Sequence, residues 1–347
     1  MNLNTGGWAS PLLRLVARLR SDGVNSTTPV TEINGGTISA TNADIALVAE
    51  GTGATLAQVP DGTVAGGDKR GIFATDWQKS RSINTYVASG NYSTIAGGQS
   101  NTASGTLATV GGGDVNVASG TRSFVGGGNS HNASATTSFI GGGTTNSANG
   151  TNSTVCGGNA NTASAATSTV CGGQENIASG VNSFIGGGRR GTTRSIAGYH
   201  VFPACDAPIA TGYFTQSALV LLARQTTDAT ATVLASNSSA AATSNQVTLP
   251  NNSAYSFSGE VIAGVTGAGD SARWTINGAI KRGANAASTV MVGTPTVTMT
   301  HFDAGAATWV VAVTANTTIG CITVTVTGAA ATTIRWVCKL ETTEMSY

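Results

Sequence analysis

Charge is what this 347-residue chain has least of: 17 Lys and Arg stand against 16 Asp and Glu, net charge is +1, and charged residues are 10% of the sequence. A nucleic-acid binder driven by bulk positive charge is excluded by that balance. Aromatic residues are 5%, and Leu, Ile, Val and Phe together make just under a fifth. A bulky core along the whole chain is out of reach, yet disorder needs a high net charge that is missing too. The five cysteines (Cys156, Cys171, Cys205, Cys321, Cys338) contain no CxxC pair. Neither a disulfide framework nor a zinc knuckle is indicated, and assembly in a reducing compartment is expected. No apolar run approaches the roughly 18 residues of a membrane span, which predicts no membrane insertion. The apolar stretch Leu12 to Leu19 is interrupted by Arg14 and Arg18 with no small-residue cleavage site after it, so no signal peptide is read.

Glycine is what the chain has instead, 47 residues of it. Aligned on its glycines, the segment from Val87 to Gly188 repeats every 15 residues in seven gapless copies. Ile95, Val110, Val125, Ile140, Val155, Val170 and Ile185 share one phase; Ala88, Ala103, Ala118, Ala133, Ala148, Ala163 and Ala178 share another. Ser93, Ser123, Ser138, Ser153, Ser168 and Ser183 make a third column, broken by Ala108. Asn101, Asn116, Asn146, Asn161 and Asn176 make a fourth, broken by His131. A unit this short cannot bury a core alone and cannot be a helical hairpin, so the copies must stack as coils with two short strands each. The expected fold is all-β: a repetitive parallel β-roll with the Ile/Val column as its structural core, glycine supplying the positive φ angles at the corners. Between Asn91 and Gly188 the charged residues are Asp114, Arg122 and Glu175, which leaves the sides to pack against copies of the same chain.

The run from Ala118-Ser119-Gly120 through Val125-Gly126-Gly127 resembles the head repeats of trimeric autotransporter adhesins and kindred repeats in phage tail fibres, over about 100 residues. The resemblance implies a left-handed roll associated as a homotrimer; the period alone fixes neither handedness nor chain number. Ala135 and Ala165 stand where the pattern has a corner glycine, and Cys156 and Cys171 where it has a small residue. Cys156 and Cys171 lie one period apart, but parallel side chains in one column argue for free thiols.

Upstream, Ser10 and Pro11 form a helix start ahead of Leu12, Leu13, Leu15, Val16 and Leu19. A short amphipathic helix is expected there. It docks on a partner, bundles with its own copies, or caps the N-terminus. The segment around Val59-Pro60-Asp61-Gly62 and Lys69-Arg70-Gly71 resembles the shaft ahead of such repeats in phage fibres.

Beyond Arg189, Arg190 and Arg194 the period stops, and alternating strands follow: 218–224, 230–235, 246–249, 254–265, 272–281, 289–292, 296–302, 308–313, 321–327 and 333–340. Ten short strands read as an antiparallel β-sandwich, with Trp274, Trp309 and Trp336 in its core. The runs LPNNSAYSFSGEVIAG, DSARWTINGAIKRGA and TIRWVCKLETTE resemble a C-terminal domain common in tail-fibre and other virion proteins of tailed phages. The expected organisation is an attachment segment (1–27), a β-rich shaft (28–86), the roll (87–190), a neck (191–211) and a sandwich tip (212–347).

Chemistry is sparse. Gly111-Gly112-Gly113 lacks the following Lys-Ser or Lys-Thr of a phosphate loop. His131, His200 and His301 have no spaced ligand partners, so no metal and no cofactor is expected. Glycan cleavage needs two acids about 5 to 9.5 Å apart, and the roll is nearly empty of acids. Acids remain beyond it at Glu260, Asp270, Asp303, Glu341 and Glu344, with Asp270 expected to pair with Arg273 or to cap. The expectation is a protein without enzymatic activity. The resemblances imply a homotrimeric tail fibre in the virion, assembled in the host cytoplasm. Its N-terminus would bind a tail or baseplate adaptor protein through Leu12 to Leu19, and its tip a host-surface glycan or outer-membrane receptor. Asn251, Asn252, His301, Phe302 and Asp303 are the candidate receptor-binding loop residues. A capsid-attached fibre or decoration, a bacterial trimeric adhesin and a glycan-cleaving tailspike are the alternatives.

Overall fold

A computed structural model describes residues 54–205, 214–267 and 269–347. The predicted helix with Leu12, Leu13, Leu15, Val16 and Leu19, and most of the predicted shaft, lie outside the described residues. The described chain is all-β: a parallel solenoid followed by antiparallel sheets.

The solenoid has two strand ladders. Nine two-residue strands, from Thr55–Leu56 to Phe184–Ile185, stack in one; six, from Thr102–Ala103 to Ile177–Ala178, stack in the other. A third column of single parallel bridges runs from Ser80 through Gln99, Asp114, Asn129, Thr144, Asn159 and Gln174 to Arg189, so each coil has three supported sides. Register follows the repeat: Val110 sits on Val125 and Val125 on Ile140. The whole Ile/Val column and the whole Ala column are 0% exposed. Two coils extend the stack upstream of the repeat, at Thr55–Leu56 and Thr75–Asp76. Their longer loops hide them from a search at a fixed period.

The asparagine column is a hydrogen-bond ladder buried inside the coil. Each Oδ1 accepts the backbone N–H fifteen residues on: Asn101 from Asn116, Asn146 from Asn161, Asn161 from Asn176, Asn176 from Gly191. Each Nδ2 donates to two glycine carbonyls, as Asn116 does to Gly112 and Gly128. Gln78 starts the ladder by accepting from Asn101 N–H. His131 continues it, its Nδ1 accepting from Asn146 N–H at 3.1 Å.

Glycine does not do the corner work alone, a correction to the sequence reading. Two positions in each coil hold other residues at φ between 52° and 61°, among them Leu107, Arg122 and Thr137 in one column and Val115, Ser130 and Thr145 in the other. Left-handed backbone costs such residues on the order of 1 kcal/mol each. It turns their amides backwards: Arg122 N–H donates to Thr106 O and Ser130 N–H to Asp114 O, both at 2.9 Å. These bonds to the preceding coil offset the strain.

At its far end the solenoid does not stop. His200–Pro203 lies parallel on Phe184–Ile185 and antiparallel on Thr215–Thr226, so one hydrogen-bonded sheet runs from the coils into the C-terminal domain. This junction strand falls in the segment read as a neck. The sheet continues through Ile334–Ser346, Ser253–Val265 and Ser271–Arg282, with Val290–Met291 and Thr296–Phe302 pairing the last. A second antiparallel sheet of Thr232–Val233, Cys321–Thr327, Val247–Thr248 and Val310–Asn316 covers it. Trp336 lies between Trp274 and Trp309, ring centroids 5.6 and 5.7 Å away.

Arg189 and Arg190 both pair with Glu175. Arg194 turns inward, where its guanidinium meets Glu344 and lies over the rings of Tyr199, Phe214 and Tyr255 at 5.2 to 5.9 Å. Burial, with Glu344 beside it, pushes the Tyr199 phenol up, so its hydroxyl stays a donor to that carboxylate. Among the described residues no helix is long and apolar enough to cross a membrane.

Candidate functional site in the C-terminal domain

The two candidate loop patches fall at opposite ends of one strand. Asn252 N–H donates to Gly283 O, just past the end of Ser271–Arg282, while His301 pairs with Arg273 near its start. Roughly 33 Å of strand separates them. Asn251 and Asn252 form an exposed turn, with Asn252 at φ 55° and its carbonyl accepting from Tyr347 N–H.

His301, Phe302 and Asp303 do line a cavity, of about 620 Å³, together with Ile262, Arg273 and Thr300. A β-bulge creates it. Register slips between Arg273 and Trp274, so that Thr300, His301 and Phe302 are exposed in succession instead of alternating. Bulges re-aim side chains in this way at functional edges. Asp303 closes the pair beyond the strand's end: its N–H donates to Ser271 O at 3.0 Å and its Oδ2 accepts from Ser271 N–H at 2.9 Å.

Phe302 is 54% exposed and Ile262 52%, which gives the cavity apolar surfaces. Arg273 and Glu260 form an ion pair at 2.7 Å beside them, half exposed on both sides. Such a pair contributes at most about 1 kcal/mol, but it neutralises both groups at the rim. The expected pairing of Arg273 with Asp270 is corrected by this contact. Asp270 instead projects to Gly305, where a Cβ would lie 2.0 Å from its Oδ2. Asp270 and Asp303 thus flank the single turn Ala304–Ala306. Chemically, the cavity offers an aromatic face, a fixed guanidinium, hydroxyls and carboxylates. Those are the groups that hold a polyhydroxylated ligand.

Arg273, Ile262 and Thr300 were not read from sequence as site residues, and Glu260 was named only among the remaining acids. Alternation places Glu260 and Ile262 on one face, and the hairpin brings Arg273 opposite Ile262; that signal was present. Thr300 depends on the bulge, which no local pattern announces. Among the described residues no group of three or more His, Cys, Asp or Glu is arranged to hold a metal. His131 is interior to its coil.

No family model and no curated protein matches the chain. A solved structure that does match is a tailspike protein from Acinetobacter baumannii bacteriophage Fri1, described as a capsular polysaccharide depolymerase. Identity is 10%, the TM-score 0.23, and the match covers 79% of this chain and 48% of that one. The chain thus spans about half the length of that tailspike. The depolymerase description belongs to the neighbour and assigns no activity here. It does overturn the expectation that this chain has no enzymatic activity, which is withdrawn. That expectation rested on the acid-poor solenoid; in the C-terminal domain Asp270 and Asp303 flank one turn, while Glu260 is held by Arg273.

Proposed function

We propose that the chain is a receptor-binding protein of a tailed-phage virion, of the fibre or spike type, which holds host-surface polysaccharide with its C-terminal domain. The observation that carries this reading is the unbroken sheet from solenoid to sandwich. It makes a rigid rod that presents one cavity-bearing head. The resemblance of the repeats and of the C-terminal runs to phage fibre proteins supports the same reading. The working form is a homotrimer, in which weak sites combine by effective concentration on a repetitive polymer. Along the long ladder, from Thr75 and Trp77 to His200 and Phe202, the outward strand positions carry no charged side chain, and Phe124 and Phe139 stack there at 5.3 Å. That face suits burial against another copy. Attachment of the N-terminal segment to an adaptor protein rests on sequence.

Cleavage of the bound glycan is the second reading, favoured by the two carboxylates beside the Ala304–Ala306 turn. One experiment addresses both. Immobilised full-length protein is exposed to a panel of purified bacterial capsular and O-antigen polysaccharides, with retention and new reducing ends measured. At least one glycan is retained, and Phe302→Ala weakens it. New reducing ends that vanish with Asp270→Asn or Asp303→Asn establish cleavage. Retention of no glycan overturns the proposal.

A further inference from the structure

A second cavity, of about 660 Å³, opens beside the first on the same sheet face, where the chain crosses from one sheet to the other; its Val337 pairs directly with Ile262 of the first. Its floor is aliphatic. Leu221 is 55% exposed and Val337 40%, with Ala223 directly opposite Val337 across the strands. Its wall is the loop that leaves Ala235, whose carbonyl accepts from Ala223 N–H at 2.9 Å. That loop is built in advance. Buried Asn245 donates to Asn237 Oδ1 and Ala240 O and accepts from Ala242 N–H, all at 2.7 or 2.8 Å. The Arg224 guanidinium also clamps it, donating to the carbonyls of Asn237 and Ser239.

Two features of this cavity are unspent by the fold. Ser236 Oγ is shielded from solvent and has no hydrogen-bond partner. Arg335, exposed at the rim, touches protein through Nε alone, 3.4 Å from Gln225 Oε1, so its two terminal nitrogens are free to donate. Neither Arg335 nor Arg224 has an acidic partner among the described residues, and no Asp or Glu lines the cavity. The chain as a whole is almost neutral. Two unpaired guanidiniums over an acid-free cavity are therefore a local positive site, unlike the neutralised Arg273–Glu260 rim.

The geometry points to a subsite for a carboxylate-bearing sugar, a uronic acid residue of an acidic polysaccharide. The sugar's C–H face lies on Leu221, Ala223 and Val337. Its carboxylate takes the fork of Arg335 in two parallel hydrogen bonds, a geometry in which arginine outperforms lysine. Ser236 Oγ, shielded as it stands, reaches a hydroxyl of the sugar by turning about χ1. The volume lies within the about 300–1,000 Å³ of ligand pockets, and the prebuilt loop keeps the ordering cost of binding low. The assignment rests on the reading of the C-terminal domain as a glycan-holding head and names the class of glycan.

The test uses the full-length protein and a panel of uronic-acid-containing oligosaccharides, each paired with its carboxyl-reduced form, followed by calorimetry. An acidic oligosaccharide binds and its reduced form does not. Arg335→Gln lowers affinity by about tenfold or more, Arg335→Lys by less, in keeping with loss of a charge-assisted fork. Ser236→Ala weakens binding without lowering the melting temperature, because no bond within the protein is lost. Equal binding of acid and reduced forms overturns the inference, as does displacement by inorganic sulfate at the oligosaccharide's own concentration. Binding indifferent to Arg335→Gln but lost with Phe302→Ala removes this subsite while glycan recognition stands. Failure of every oligosaccharide to bind removes this subsite, and retention in the wider polysaccharide panel then decides whether the domain holds a glycan at all.

Discussion

Arg194 and Glu344 are 150 residues apart in sequence and meet in two hydrogen bonds, of 2.8 and 3.0 Å, where the last coil passes into the C-terminal sheet. Glu344 is fully buried and also accepts from Gln216 Nε2 at 2.7 Å. Removing one partner leaves the other charge buried and uncompensated, which costs about 3–5 kcal/mol. Arg194→Met is therefore expected to lower stability by that amount in chemical denaturation, and Arg194→Met with Glu344→Leu by less than Arg194→Met alone. A double variant as unstable as the sum of the singles would show that the pair does not act as a unit.

His131 predicts an acid-sensitive coil. Burial holds its imidazole below the ordinary histidine value, against a weaker upward pull from bonds with Gly143 and Asn146. Above about pH 6.5 the ring is neutral in both folded and unfolded chains. As pH falls from there through the lower folded value, the unfolded chain takes the proton more readily, so stability declines. His131→Asn restores the ladder's usual residue and should abolish that part of the decline. The check is the melting temperature of the two proteins at pH 7.5 and pH 5.

Val125 and Thr136 test inside against outside. Val125 is 0% exposed in the apolar column and Thr136 is exposed. Val125→Asp should cost several kcal/mol by burying an unpaired charge, and Thr136→Asp about 0.5 kcal/mol or less. Thermal melts of equal height would invert the assignment of the two phases.

Adjacent glycines should differ sharply. Gly127→Ala would place its Cβ in open space, whereas at Gly128, with φ 99°, the Cβ would sit 2.4 Å from Gly143 O. The first substitution is expected to be silent in a melting experiment and the second to destabilise strongly.

Thiol labelling should divide the cysteines by burial. Cys156, Cys171 and Cys205 are exposed. Burial pushes Cys321 up to about 11 and Cys338 up to about 12. A maleimide probe should therefore modify Cys205 but neither Cys321 nor Cys338 in the native protein at pH 7.5, and all five thiols after denaturation, with Cys156 and Cys171 protected in the native state by the face that packs on another copy; the count is read by mass spectrometry.

Repeated residues were legible because stacking turns a period into a contact: Val110, Val125 and Ile140 share a phase in sequence and a column in space. All ten predicted C-terminal strands exist, two with the predicted bounds (Thr296–Phe302 and Cys321–Thr327) and eight with shifted ends, because alternation marks a half-buried strand. His200–Pro203 was not legible, since four residues between two periodicities carry no pattern of their own. Nor was the left-handed backbone at Leu107 or Arg122, which only the bond to the preceding coil explains. In the candidate site, His301 and Phe302 were read as loop residues but belong to the strand Thr296–Phe302, with Asp303 just beyond it, and their separation from Asn251 and Asn252 depends on strand pairing across the sheet.

The parallel ladder has a mechanical consequence. Its hydrogen bonds lie along the rod's axis, so a pull between head and tail loads every coil in series, each held by a handful of short bonds. A coil that lets go releases fifteen residues, about 50 Å of extended chain, where it had occupied about 4.8 Å of rod. Under tension the rod is a stack of extensible links, each able to lengthen about tenfold before the next gives way.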